Sequence, residues 1–491
     1  SFGRHLVQGI VGGELKETNS ESDAYKTVGF LDDPLGYPSY AVQFDSYTGP
    51  SGSSSLSRSA GMFANFNYSW DNRYLIDLTG RIDGSSNFAS KQRSAPFWSA
   101  GVRWNIYNEK FMKTHGWFEN LAVRANIGTV GNQNFQLSQI MTLYNFLKMY
   151  DGVMGAEIMS IANPELKWQT TLNRNIGLEF SLLQGLVNLD FNYYSNITKN
   201  NLTDIAILPS TGFSTYKANM GKVRNQGYEF SLSITPIKKN GWIVNAFVNG
   251  AHNKNKLLNI SDALRDYNEV IKENQTAHLN YAGYTQLERI FLFEEGQSLN
   301  SIFAVRSMGI DPGTGQEIFV TADGVQTFQW NAADQVVVGN TEPTLKGYFG
   351  LNVDYKRWSF GANFQYSFGA DRYNKTLYEK IEGGNFAQNA DRRALTQRWT
   401  KPGDVAKYRG YGNTSQLKPT SRFVQKDDFL SMTSARLSYT LNANDLQALG
   451  ISLLKFTLST NDLFYVSTIK QERGLSYPFA RTFYFSLQAN F

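Results

Sequence analysis

RTFYFSLQANF, residues 481–491, alternates without a break. Phe483, Phe485, Leu487, Ala489 and Phe491 fall on one face of a strand, and Tyr484, Ser486, Gln488 and Asn490 on the other. A strand that is apolar outward, polar inward and stops on an aromatic is the stave of a membrane β-barrel. Phe491 itself reads as part of a barrel-insertion signal.

The same period recurs upstream. Ala60, Met62, Ala64, Phe66 and Tyr68 oppose Gly61, Asn65, Asn67 and Ser69; Trp98, Val102, Trp104 and Ile106 oppose Ser99, Gly101, Arg103 and Asn105. Val187, Leu189, Phe191 and Tyr193 oppose Asn188, Asp190 and Asn192, and Phe360, Ala362, Phe364 and Tyr366 oppose Ser359, Asn363, Gln365 and Ser367. Segments 74–82 and 172–182 repeat the pattern. Further strands fit near 3–16, 121–129, 227–235, 242–251, 348–355, 429–440 and 453–462. A soluble sandwich also alternates, but its wet face is rich in Lys and Glu. Here the polar phase is Asn, Ser, Thr, Gly and Gln, which suits a water-filled interior, and Tyr and Trp gather near strand ends as in a membrane girdle.

Composition agrees. The chain of 491 residues is 41% hydrophobic yet 14% aromatic, a polar average carrying many rings, as expected when half of each strand faces water. No run approaches the length of an apolar helical span. There is no Cys, which excludes disulfide and thiolate chemistry. The formal charge of +5 is spread without a basic block, so nucleic acid is not an expected partner. The chain opens at Ser1 without Met, a basic n-region or an apolar h-region, so no signal peptide is read in it.

Connections alternate in length. Short turns fall at Asp71–Asn72, Gln184–Gly185, Lys238–Gly241 and Lys356–Arg357; long segments occupy roughly 19–55, 132–169, 196–225 and 370–422. Short turns on the periplasmic side and long loops outside are the outer-membrane pattern. Strands 242–251 and 358–368 then both run outward, so 348–355 runs inward and an even number of spans lies between 252 and 347. Gly309, Asp311, Pro312, Gly313, Gly315, Asp323 and Gly324 make that region turn-rich, and we expect no span there: 252–347 reads mostly as an extracellular loop subdomain. The expectation is an all-β chain, a transmembrane antiparallel barrel portion of fourteen strands, with its C-terminus periplasmic.

Strings along nearly the whole length carry a family resemblance. NYSWDNRYLIDLTGRIDGSSNF (67–88), LAVRANIGTVGNQNF (121–135), NPELKWQTTLNRNIGLEF (163–180), EEGQSLNSIFAVRSMGIDPGTGQEIF (294–319), ALTQRWTKPGDV (394–405) and the terminal strand, in this order, resemble the C-terminal part of SusC/RagA-type TonB-dependent transporters of Bacteroidetes outer membranes. The resemblance implies a barrel of about 22 strands around an N-terminal plug. About eight strands and the plug would then precede this portion. It also implies a SusD-like surface lipoprotein as lid, TonB as the source of proton-motive energy, and an oligomeric nutrient, glycan or peptide, as cargo. Outer-membrane lipid and the rest of the barrel are the other expected partners.

Catalysis is not expected. His5, His115, His252 and His278 are scattered, and no Walker, nucleotide or nucleophile-elbow motif appears. DGSS (83–86) and DPGTG (311–315) read as turns, the latter lacking the ligand spacing of a calcium loop. No cofactor or metal is called for. Aromatics of the long external segments, Trp330, Tyr373, Tyr378, Phe386, Trp399, Tyr408 and Tyr411, are candidate substrate or lid contacts; packing within the loops is their other reading. Energy-coupled import is the expected function. The alternatives are a structural or assembly subunit of a larger outer-membrane complex, and a passive porin.

Overall fold

Lipid leaves no water for unpaired backbone groups, so alternating segments can span it only as a continuous ladder. The computed structural model has that ladder. It describes residues 3–30, 37, 40–45, 51–87, 93–112, 117–132, 142–150, 153–160, 163, 166–206, 212–213, 215–219, 221–262, 264–269, 292–384, 391–411, 417–442, 446, 450–470 and 481–491. Fourteen strands pair antiparallel in chain order: β1 His5–Ala24, β2 Ser51–Trp70, β3 Tyr74–Ser85, β4 Ser94–Asn105, β5 Phe118–Asn132, β6 Gln169–Leu182, β7 Val187–Lys199, β8 Gly221–Lys239, β9 Trp242–Ile260, β10 Leu345–Tyr355, β11 Trp358–Phe368, β12 Phe429–Asn442, β13 Leu453–Asn461 and β14 Phe483–Asn490. β9 pairs directly with β10, from Trp242 opposite Tyr355 to Ala251 opposite Lys346. None of the described residues between 261 and 344 joins the ladder. Among the described residues no helix is long and apolar enough to cross a membrane.

The register turns the alternation into two walls. One hydrogen-bonded row reads Leu121, Phe180, Leu189, Leu232, Val248, Phe349 and Phe364 across β5 to β11. The residues one step along read Ser181, Asn188, Ser233, Phe247, Gly350 and Asn363. The outward phase is exposed and apolar: Val11 is 86% exposed, Met62 75% and Phe485 69%. In water such a band would be an association hazard; in hydrocarbon it is the required surface. At the short-turn end Trp242, Tyr355, Trp358 and Tyr439 sit opposite one another on β9 to β12, with ring centroids 4.1 Å apart for the first pair and 4.7 Å for the last.

The tight turns follow from their residues. Asp71 and Asn72 both take φ of 52°, the left-handed pair of a two-residue hairpin, which Asp and Asn tolerate. Asn240 and Gly241 repeat this with φ of 55° and 80°. Pro236 lacks a ladder donor, and the β8–β9 register shifts between Ile234 and Ile237 around it.

Several strands outrun the sequence reading. β9 continues from 251 to Ile260 and β8 begins at Gly221, where GKVRNQG enters the strand. At this end both faces turn polar, as in Asn253-Lys254-Asn255-Lys256, so the alternation that marks a span disappears while pairing persists. The sheet does not close on itself: among the described residues β1 is paired only with β2, and β14 only with β13.

Candidate functional site

Inward-pointing side chains of β4 to β11 form a polar wall held by its own ion pairs. Arg103 and Arg124 lie directly opposite on β4 and β5. Glu179 of β6 bridges them, accepting from Arg103 Nη2 at 2.7 Å and from Arg124 Nη1 at 2.5 Å. Arg124 Nη2 also donates to Asn192 Oδ1 at 2.6 Å. Beside this network Asp190, Glu229, Asn249, Lys346 and Tyr348 line a concavity of 490 Å³. Its amides, carboxylates and one phenol can exchange hydrogen bonds with a hydrated oligomer, beside an apolar share of the lining that includes Phe230, Gly250, Ala251 and Gly347.

A second assembly sits where the long connections meet. Ser301–Ile310 is the spine of a four-stranded sheet with Glu317–Val320, Gln326–Thr327 and Gln335–Asn340. Ile302 to Val305 are buried there, and Ile302 packs with Tyr373, Tyr378 and Phe423. Residues from both 292–344 and 370–426 therefore share one core. Arg422 is the electrostatic keystone. Its guanidinium donates to Glu317 Oε1 and Oε2 at 3.1 and 2.9 Å, to Glu382 Oε2 at 2.9 Å and to the Lys407 carbonyl at 2.6 Å. Arg409 Nε takes the other oxygen of Glu382 at 2.9 Å. Burial alone would raise the Glu382 carboxyl, but the guanidiniums of Arg422 and Arg409 override it and hold it below the usual carboxylate range.

Six of the aromatics singled out in the sequence are in described segments. Tyr373, Tyr378 and Tyr408 are buried, 6%, 5% and 4% exposed, with their rings inside the loop core. Tyr378 donates its hydroxyl to the Leu417 carbonyl at 3.0 Å, and burial pushes the Tyr373 phenol far up. Trp330 donates its indole N–H to the Pro419 carbonyl at 3.2 Å, under the ammonium of Lys418. Tyr411 is exposed, with the Arg398 guanidinium 5.4 Å from its ring centre. Phe386, His115 and His278 lie outside the described residues.

Trp399 links two strings that gave no sign of contact. Its indole donates to the Pro312 carbonyl at 2.9 Å, and Gly403 N–H reaches the same oxygen at 2.8 Å. RWTKPGD and DPGTG are thus two halves of one clasp. Arg398 anchors it by donating to the carbonyls of Ala394, Arg409, Ile381 and Glu382 at 2.8–3.1 Å. Asp404 folds the first string by accepting from Thr400 and Lys401, and those bonds, the Thr400 hydroxyl first, lower its carboxyl. Asp311 folds the second by accepting from Thr314 N–H and Oγ1 at 2.9 and 2.6 Å. Gly315 has φ of +70°, and a Cβ there would lie 2.5 Å from the Trp399 ring. Gly315→Ala is therefore expected to loosen the clasp by about 2–4 kcal/mol, from left-handed strain and overpacking. Tryptophan emission should shift to the red and proteolysis between 398 and 411 should accelerate; unchanged emission would show that the ring does not depend on that gap.

Residues 4–288, more than half of the chain, match the family model described as TonB dependent receptor-like, beta-barrel. A TonB-dependent receptor of Formosa agariphila is 26% identical over 94% of the chain and 47% of its own length. The TonB-dependent receptor SusC of Bacteroides thetaiotaomicron is 27% identical over 67% of the chain and 33% of its own length. The solved structure of the RagAB peptide transporter superposes with a TM-score of 0.80 at 25% identity, over 95% of this chain and 50% of that one. The chain spans about half the length, or less, of the relatives it matches.

Proposed function

We propose, from the premise that this chain belongs to the TonB-dependent receptor-like β-barrel family, that it forms the C-terminal staves of an outer-membrane importer for oligomeric nutrients. The observation that carries the reading is the two-chemistry wall: an apolar face and a polar face exchanged at successive residues across fourteen paired strands. Among the described residues the outer edges of β1 and β14 have no partner strand, which supports further staves, since open edge groups in hydrocarbon cost several kcal/mol each. About eight strands and a plug, N-terminal to this segment, would complete a barrel of about 22.

In this reading the short turns face the periplasm and so does Phe491. The loop assembly around Arg422 is the rigid outer platform on which a SusD-like lipoprotein rests. The buried tyrosines 373, 378 and 408 stiffen that platform; Tyr411, and after it Trp330 and Trp399, whose indoles are already bonded within the loops, are the proposed lid or cargo contacts. Energy comes through TonB. Likeness to the RagAB peptide transporter makes oligopeptides the first cargo to test, with glycans second.

The test is uptake of labelled oligopeptides and oligosaccharides by cells carrying the full-length receptor, with and without a proton uncoupler. Saturable uptake abolished by the uncoupler is expected. Uncoupler-insensitive flux would replace the reading with a passive pore. Absence of any uptake, with fixed-stoichiometry recovery in an envelope complex, would replace it with an assembly role.

A further inference from the structure

The outer ends of β6 to β9 carry an anomaly on the apolar side of the wall. Tyr193 and Tyr228 sit opposite one another at the top of the band, with His252 next in the row. Above them the outward phase becomes cationic: Arg174 on β6, Lys199 on β7, Lys222 and Arg224 on β8, Lys254 and Lys256 on β9. The register sets Lys199 directly opposite Lys222, and Arg224 directly opposite Lys256. Directly opposed like charges destabilise a sheet. The outward positions of these four strands include no Asp or Glu, and none of the six cations makes an ion pair among the described residues. The inner wall handles the same problem differently, placing Glu179 between Arg103 and Arg124. Arg224 adds an independent sign, because its buried Nε has no hydrogen-bond partner among the described residues.

Space accompanies the charge. β9 rises above the start of β10, and the notch opens into a cavity of 560 Å³ lined by Arg224, Gln226, His252, Lys254 and Lys256. Two carboxylates on its far wall are already engaged: Glu342 accepts from Asn300 at 2.7 Å, and Asp371 pairs with Lys426 at 2.7 Å.

We infer that this patch binds the phosphates of an outer-leaflet glycolipid. The ligand must be anionic, because only an external anion can lie between the two like-charged pairs. It must be amphiphilic, because Ile176, Tyr193, Tyr228 and Phe191 continue the same outward phase directly beneath the cations, where acyl chains would lie. A free phosphate would use the charges and leave that apolar strip unexplained. The inference rests on the orientation proposed above, with the long-loop end outside.

The experiment is native mass spectrometry of the full-length receptor in detergent, titrated in parallel with bisphosphorylated lipid A, with lipid A stripped of phosphate, and with inorganic phosphate as competitor. The phosphorylated lipid is expected to bind at least about tenfold more tightly than the stripped one, and Arg224→Gln with Lys256→Gln to remove most of that preference. Without lipid the double variant should unfold at the same or a higher temperature, because a repulsive pair is gone; that arm separates lost binding from lost folding. Equal binding of the two lipids, an unaffected variant, or displacement of lipid by inorganic phosphate at comparable concentration would each overturn the inference. A receptor that imports cargo but shows no lipid preference sinks this inference alone, leaving the importer reading intact.

Discussion

Arg422→Ala is expected to destabilise the loop assembly by about 3–5 kcal/mol, the scale seen when one partner of a buried ion pair is removed. The side chains it leaves behind are the reason. Glu317 and Glu382 are 5% and 0% exposed, so two carboxylates would lose their main cation without gaining water. Glu382 keeps Arg409; Glu317 has no other ion pair among the described residues. Hydrogen exchange should rise in 301–340 and 370–426 together, because Arg422 ties one to the other, while the ladder strands stay protected. Arg422→Met with Glu317→Leu removes the charges as a pair and leaves Glu382 with Arg409. That double variant is expected to cost less than the single one, since a matched apolar replacement leaves no orphaned charge. If the single variant exchanges like the parent, the network is ornamental and the platform is held by its apolar core alone.

Acid supplies an independent handle on the same network. The Glu382 carboxyl sits below its ordinary value, so the unfolded loop binds the proton more readily than the folded one. Its contribution is then fully present above the ordinary carboxylate range and is lost as pH falls through the depressed folded value. The platform should hold unchanged from neutral to mildly acidic pH and release only in stronger acid. Loosening on the alkaline side of the carboxylate range would contradict the pairing.

What the sequence disclosed and what it hid divide along one physical line. Inside the membrane each residue answers to lipid or water, so Phe360 against Asn363, or Leu189 against Asn188, reveals both strand and face. Strand parity even excluded a single extra span between 252 and 347, and β9 does pair straight to β10. Beyond the membrane that constraint lapses. The outer halves of β8 and β9 alternate little, and their extent came only from pairing. The keystone contacts were invisible for a different reason: Arg422 and Glu317 are 105 residues apart and carry no local signal. The same holds for Trp399 and Pro312, whose contact assigns RWTKPGD the structural part that its composition did not suggest. The basic patch is an intermediate case. Its cations can be read in the chain one by one, but only the register puts them on one face and in like-charged pairs.

The largest effect expected on the ladder itself comes from Leu232→Arg. Leu232 lies between Leu189 and Val248, well above the ring of Trp242 and Tyr355 and below Tyr228, which places it in the middle of the apolar band. Arginine there must desolvate in hydrocarbon or drag water and headgroups inward, at a cost of about 2–4 kcal/mol. Ser231→Arg moves the same side chain one residue along the same strand. It points to the polar wall, opposite Asp190 and Asn249, where water and a carboxylate receive it. A near-neutral outcome is expected. Refolding of the full-length receptor into vesicles, followed by denaturant titration, measures both. The comparison isolates the face from the charge, because backbone position and side chain are matched as closely as two neighbours allow. Equal penalties for the two would mean that β8 does not divide lipid from water. The barrel, the importer and the lipid site would then fall together, since each takes that division as its starting point.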